Sequence, residues 1–291
     1  MLHSCFTGVE STPRITAADV RHAGVESSSE QLFAACITPE PPSGWRKGKQ
    51  WLVDDNKMGI IFNPPVTDSL AGKTLTLVEL TPSPTVIGVD AVELRFADTD
   101  GHVYSYLPGV PWNDLQSRRS LDIPFAVELA PVYKADSLMR DNVYYIKSPL
   151  WCDINGRSTD GLRHVPVTVT RVLPGTSRLP LKVEFRVGHE QELHYILLTY
   201  GDGPSATRNF DKYFSFKNPR LQYPRITDEN WEHIIHSRVA LGMTRDECRL
   251  ALGTPATLRR GATDAAQVEH WTYDDGVYLI FEDGILTRFR K

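Results

Sequence analysis

The run His189-Glu190-Gln191-Glu192-Leu193-His194 comes nearest to a metal motif, because zinc-protease helices set two imidazoles and a carboxylate close together. Its spacing defeats the comparison. Two residues five apart lie about 140° apart around a helix and on opposite faces of a strand, so the run reads as a polar hairpin turn. Glu229, His233 and His236 do share one helical stripe at i, i+4 and i+7. Trp231, Ile234 and Ile235 claim the buried side of that helix, which leaves the stripe a solvated face. Asp98-Thr99-Asp100-Gly101 and Asp153-Ile154-Asn155-Gly156 lack the remaining ligands of a calcium loop and read as turns. The four cysteines, Cys5, Cys36, Cys152 and Cys248, fall at no metal-ligand spacing and form no CxxC. A cysteine nucleophile needs an imidazole beside it, and Cys152 with His164 or His194 is the pair to carry forward. With no nucleophile elbow, phosphate loop or paired carboxylates in view, the sequence assigns no catalytic residue, no metal ligand and no cofactor.

The elements that would position such groups are mostly strands. In 291 residues, 41% hydrophobic and 23% charged, there is material for two or three cores. A formal charge of -4 leaves no basic surplus for counterion release, so nucleic acid is not an expected partner. No stretch approaches the roughly 20 apolar residues of a membrane span. From Trp45 to about Gly201 the pattern is strand-like, with Leu75 to Leu80, Val92 to Phe96 and Val103 to Leu107 split by Pro, Asp and Gly turns. The order recurs about 90 residues on, in Val167 to Val172, Leu181 to Phe185 and Leu193 to Leu198, with Lys49 to Val53 matching Val143 to Lys147. This predicts two tandem antiparallel β modules, residues 41–135 and 136–222, each a small barrel or sandwich.

From Ile226 the period becomes helical. Thr227 is a plausible N-cap, and Ile226 stands where it would staple Trp231. A second helix follows in which Thr244 and Glu247 form a capping box, Met243 and Cys248 take the staple positions, and Gly253 stops the helix before Pro255. A cysteine so placed points into the core, where a thiol is inert. Three strands come next, Val268 to Tyr273, Val277 to Glu282 and Ile285 to Arg290. Alternation puts Val277, Leu279 and Phe281 on one face of the sheet and Tyr278, Ile280 and Glu282 on the other, with Trp271 and Tyr273 opposing His270 and Thr272, and one of the two faces must meet the helices. If Val277, Leu279 and Phe281 meet them, Tyr278, Ile280, His270 and Thr272 are the candidate protein-contact surface, the alternative being that this patch packs on the neighbouring β module. Gly242-Met243-Thr244, Leu252-Gly253-Thr254-Pro255 and Phe281-Glu282-Asp283-Gly284 carry a resemblance to the BamE/SmpA (OmlA) outer-membrane lipoprotein family, whose fold is shared by β-lactamase-inhibitor proteins. The resemblance covers residues 223–291 and implies an ααβββ domain, making the whole chain α+β.

The chain opens Met1-Leu2-His3-Ser4-Cys5, and Leu-x-Ser-Cys resembles the end of a lipobox whose Cys5 would be acylated. Residues 1–40, rich in Ser, Thr and Glu where they follow it, then read as a tether. The layout as a whole resembles lipoproteins of Gram-negative gut anaerobes. Together these features lead us to expect a non-enzymatic cell-envelope lipoprotein, lipid-anchored at the periplasmic side of the outer membrane or at the cell surface. It would be a scaffold for another envelope protein. The alternative is ligand binding or cysteine-dependent hydrolysis in a cleft between the β modules.

Overall fold

A computed structural model describes residues 29–85, 88–201, 208–262 and 266–290; Cys5 and the lipobox lie outside them. The first sheet contains β1 (Gln50–Val53), β2 (Thr74–Ser83), β3 (Ala91–Ala97), β4 (Val103–Tyr106) and β5 (Ala126–Glu128). All pairings are antiparallel, in the order β4-β3-β2-β1-β5. Period-two alternation explains the burial: Val92, Leu94 and Phe96 of β3 are buried, while Arg95 between them is exposed. Trp45, Trp51 and Phe96 form the centre of this core, with ring centroids 5.0 and 5.4 Å apart in offset, edge-on contact. β4 and β5 are the end strands of that order, with residues 62 and 63 laid along β4 through the Phe62–Tyr106 bridge and the Asn63 amide, which donates to the Ser105 carbonyl at 2.8 Å.

The second sheet contains β6 (Val143–Ile146), β7 (Leu150–Asp153), β8 (Ser158–Asp160), β9 (Val165–Pro174), β10 (Leu181–Val187), β11 (His194–Leu198) and β12 (Phe214–Ser215). Its order, β12-β6-β9-β10-β11-β7-β8, begins as that of the first sheet ends, with β12-β6-β9-β10-β11 in the places of β5-β1-β2-β3-β4. A bulge falls at the same point in both. Leu77 and Glu79 face Phe96 and Arg95, skipping Val78, and Val169 and Arg171 face Phe185 and Glu184, skipping Thr170. In each sheet the segment after the first strand touches the outer edge of the fourth, through the Phe62–Tyr106 bridge in one and β7 in the other.

Two helices correct the sequence expectations. The first, α1 (Ser29–Cys36), lies within the expected tether of residues 1–40. Ala34 and Ile37 are buried in the second core, and Phe33 packs 4.5 Å from Phe210. After the short α2 (Met58–Ile61), α3 (Leu129–Met139) straddles the expected boundary at 135/136. Val132, Ala135 and Met139 make an i, i+3, i+7 stripe that also enters the second core, so the handover between cores falls at Ala126 and Val127. Pro131 fits in the first helical turn, where its missing N–H costs nothing. Beyond two short turns, α4 (Phe210–Tyr213) and α5 (Pro219–Gln222), the C-terminal part begins.

There α6 (Asp228–Ile235) and α7 (Arg245–Leu252) share a core with a sheet of β13 (Thr257–Ala262), β14 (Gln267–Thr272), β15 (Tyr278–Glu282) and β16 (Ile285–Arg290). The sheet has four strands, where three were expected. β13 is the added edge, and every one of its residues is exposed, so it carries no apolar alternation to betray it. Both helix starts are as the sequence implies. Thr227 accepts from the Asn230 amide. The Thr244 hydroxyl accepts from the Glu247 amide at 3.3 Å, and Glu247 Oε2 accepts from the Thr244 amide at 2.6 Å. Gly253 ends α7 at φ 88°, a conformation that costs glycine little.

Candidate functional site

The four-stranded sheet divides its residues by alternation. Trp271, Val277, Leu279 and Phe281 are buried against α6 and α7 along with Ile234, Met243 and Cys248. On the other face Tyr278 is 40% exposed, Ile280 is half-buried, and His270 and Thr272 are exposed. Register completes that face: Ile280 lies between His270 and Arg288, Tyr278 lies between Thr272 and Arg290, and Arg259 lies beside His270. Val268 and Ile285, which flank Glu282, extend the apolar strip. Arg288 reaches Glu282 at 3.8 Å, whereas Arg259 and Arg290 make no ion pair among the described residues. The face is therefore an apolar strip rimmed by arginines.

Its rigidity comes from behind. Glu269, buried on the inner face, accepts from Arg245 at 2.6 Å, from Arg260 at 3.2 Å and from the Trp271 indole at 3.0 Å. Burial alone would raise its pKa, but the indole and the guanidiniums outweigh it and hold the carboxyl below the usual glutamate range. The helix layer is in turn fixed to the second sheet. The Arg163 amide donates to the Ile235 carbonyl at 2.8 Å, Arg163 Nε to Ser237 Oγ at 3.0 Å, and His164 Nε2 lies 3.1 Å from the Leu250 carbonyl. With helices covering the inner face, the face carrying Tyr278 and Ile280 turns away from the rest of the chain. Trp231 is half-buried, 6.0 Å from the His164 ring, at this same junction.

The cysteine and histidine candidates are not brought together. Register sets Cys152 opposite Tyr195, and His194 opposite Asp153. The His194 ring is buried 5.8 Å from Trp151 and 6.1 Å from Phe185, on the side away from Cys152. Among the described residues neither His194 nor His164 hydrogen-bonds Cys152. His189 sits in the β10–β11 turn, exposed, and Glu229 and His236 are exposed on α6 and just beyond it. Cys248 is fully buried, and burial followed by the nearby Glu247 pushes its thiol up to about 12.

Two ionic clusters were not legible in the sequence, because in each the lysine is distant along the chain from the carboxylate it meets. Asp98 accepts the amides of Asp100 and His102, each at 2.9 Å, and the Tyr104 hydroxyl at 2.9 Å. Lys73 reaches both Asp98 (3.1 Å) and Asp100 (2.7 Å). Burial opposes ionisation of Asp98, yet these donors hold it far below the ordinary carboxylate range. Asp98, Asp100 and His102 gather ligand-type atoms, but the Lys73 ammonium already occupies the carboxylates and the cluster is a braced turn. The second cluster borders a cleft of about 550 Å³ between the first and second sheets. Lys49 and Glu128 meet there at 2.7 Å, each side chain only 8% exposed, with the ammonium 5.6 Å from the Trp45 ring centroid and 5.9 Å from that of Trp51. Burial raises the Glu128 carboxyl against the pull of Lys49. Among the described residues neither a cysteine nor a histidine lines this cleft.

Among the described residues no helix is long and apolar enough to cross a membrane. No family model, no curated protein and no solved structure matches this chain.

Proposed function

We propose that the chain is a non-enzymatic cell-envelope lipoprotein that binds another envelope protein through the open face of a BamE-like C-terminal domain. In this reading two tandem copies of one β module and a lipid on Cys5 hold that face away from the membrane. The shared strand order and the shared bulge support the duplication; the partner face rests on a single observation. Tyr278, Ile280, Val268 and Ile285 form an outward apolar strip between Arg259, Arg288 and Arg290, on a sheet locked from behind by Glu269. Tyrosine and arginine around an aliphatic centre is the composition of binding hot spots. The unpaired arginines select a partner with an acidic rim around an apolar patch. Cysteine-dependent hydrolysis in a cleft gains no support, since among the described residues Cys152 has no imidazole bonded to it and no cysteine lines the cleft between the sheets.

The test is charge reversal. Full-length protein bearing Arg288→Glu and Arg290→Glu should lose an acidic envelope protein that the parent retains in matched capture experiments, and retention should weaken as salt rises. Equal retention by parent and variant would overturn the assignment.

A further inference from the structure

A cavity of about 610 Å³ opens where the second sheet meets the C-terminal helices, on the far side of the helix layer from the open face. Lys147, which follows β6, has its ammonium there. Its Nζ donates to the Asp211 carbonyl at 2.6 Å, leaving two N–H groups of the three. Burial lowers the Lys147 pKa even though Glu30 and Asp211 are close enough to favour the charge, and neither carboxylate comes within ion-pair distance of it. Glu30 is held elsewhere: its Oε1 accepts the Ser215 hydroxyl at 3.2 Å and the Phe216 amide at 3.1 Å, which ties α1 to β12. Lys217 lines the mouth, exposed, its ammonium without an ion pair among the described residues. The remaining wall is mixed: Pro219, Tyr223 and Leu250 form an apolar side, and Ser29, His164, Ser215 and Gln222 a polar one.

Lys147 keeps two unused N–H donors at the cavity and Lys217 brings a second ammonium to its mouth, while Glu30 is spent on Ser215 and Phe216 and Asp211 meets Lys147 through its carbonyl. A partly desolvated ammonium with free donors is stabilised most by an anion. The apolar side formed by Pro219, Tyr223 and Leu250 suits a short hydrocarbon body attached to that anion. We propose that this cavity binds a small organic monoanion, with its carboxylate on Lys147, Lys217 at the mouth, and its apolar body against Tyr223, Leu250 and Pro219. The site is independent of the open face and of any partner bound there.

The probes are butyrate and benzoate, with butylammonium and inorganic phosphate as comparators, on the full chain labelled with carbon-13 at lysine Cε. Butyrate should shift the Lys147 resonance saturably and move its titration midpoint upward, because a bound carboxylate favours the ammonium. By calorimetry Lys147→Met should abolish binding. Lys217→Met should weaken it about tenfold, the value of one charge-assisted contact. Lys134→Met, on the exposed side of α3, should leave it unchanged. Butylammonium binding as well as butyrate, phosphate binding more tightly than either carboxylate, or a Lys147 resonance that does not respond would each overturn the proposal. The resonance decides the matter even where Lys147→Met fails to fold.

Discussion

Acid should loosen the junction between the second sheet and the C-terminal helices, and His164 sets how far. Its φ of 57° is left-handed, and its ring lies between the Leu250 carbonyl and Trp231. Burial lowers its pKa from 6.5 to about 4, the Leu250 carbonyl pulling the other way and Arg163 and Lys147 adding repulsion. A difference of that size, at about 1.4 kcal/mol per unit, is worth about 3 kcal/mol. Above pH 6.5 the imidazole is neutral in both folded and unfolded chains and contributes no slope. Between pH 6.5 and 4 the unfolded chain takes a proton that the folded one refuses, so stability falls as pH falls. Below about 4 the folded chain protonates too, and the loss levels off. His164→Asn removes the titration while tolerating the left-handed backbone. Hydrogen exchange of peptides spanning Arg163 and Leu250 should accelerate from pH 6.5 to 4 in the parent, after correction for intrinsic rates, and much less in His164→Asn. Peptides from the first sheet should respond equally in both proteins. Parallel pH slopes for parent and variant at the junction would refute the reasoning.

Within the C-terminal domain, Thr244→Ala removes the cap and should cost about 1 kcal/mol in denaturant melts. Cys248→Asp puts an unpaired charge into a fully buried site and should cost about 3 kcal/mol or more, with Cys248→Ala milder; a parent-like melt for the aspartate would show the site is not buried. Gly284→Ala would place a Cβ 2.8 Å from Arg245 Nη2 at a φ of 87°. It should cost about 1–2 kcal/mol as Arg245 is displaced from Glu269, and a loss of only a few tenths would contradict that packing. Cys5→Ala should leave the membrane fraction, and unchanged partitioning would count against lipidation.

What the sequence made legible were features written in neighbouring residues. Thr244 and Glu247 are three apart, and their capping box is in place; the alternation in β3 and β15 gave the buried faces directly. Helix α3 was hidden because Ala126 to Glu128 is strand and Pro131 follows, so a strand-like start masked the Val132, Ala135, Met139 stripe. β13 was hidden for the opposite reason: Thr-Leu-Arg-Arg-Gly-Ala is wholly exposed, and an edge strand held by backbone pairing and the Arg260–Glu269 bond needs no apolar pattern. The Lys73–Asp98 and Lys49–Glu128 pairs join residues far apart along the chain, so nothing local announces them. Cys152 and His194 show the converse, for they pair in adjacent strands one register step apart and so face opposite sides.

The most direct test of the open face is site-specific photocross-linking in whole cells. A benzophenone side chain placed at Tyr278 or at Ile280 should cross-link one and the same envelope protein, and at Leu221, exposed on α5 far from the sheet face, it should not. Cross-linking of that protein from Leu221 alone, or from no position on the sheet, would contradict the account.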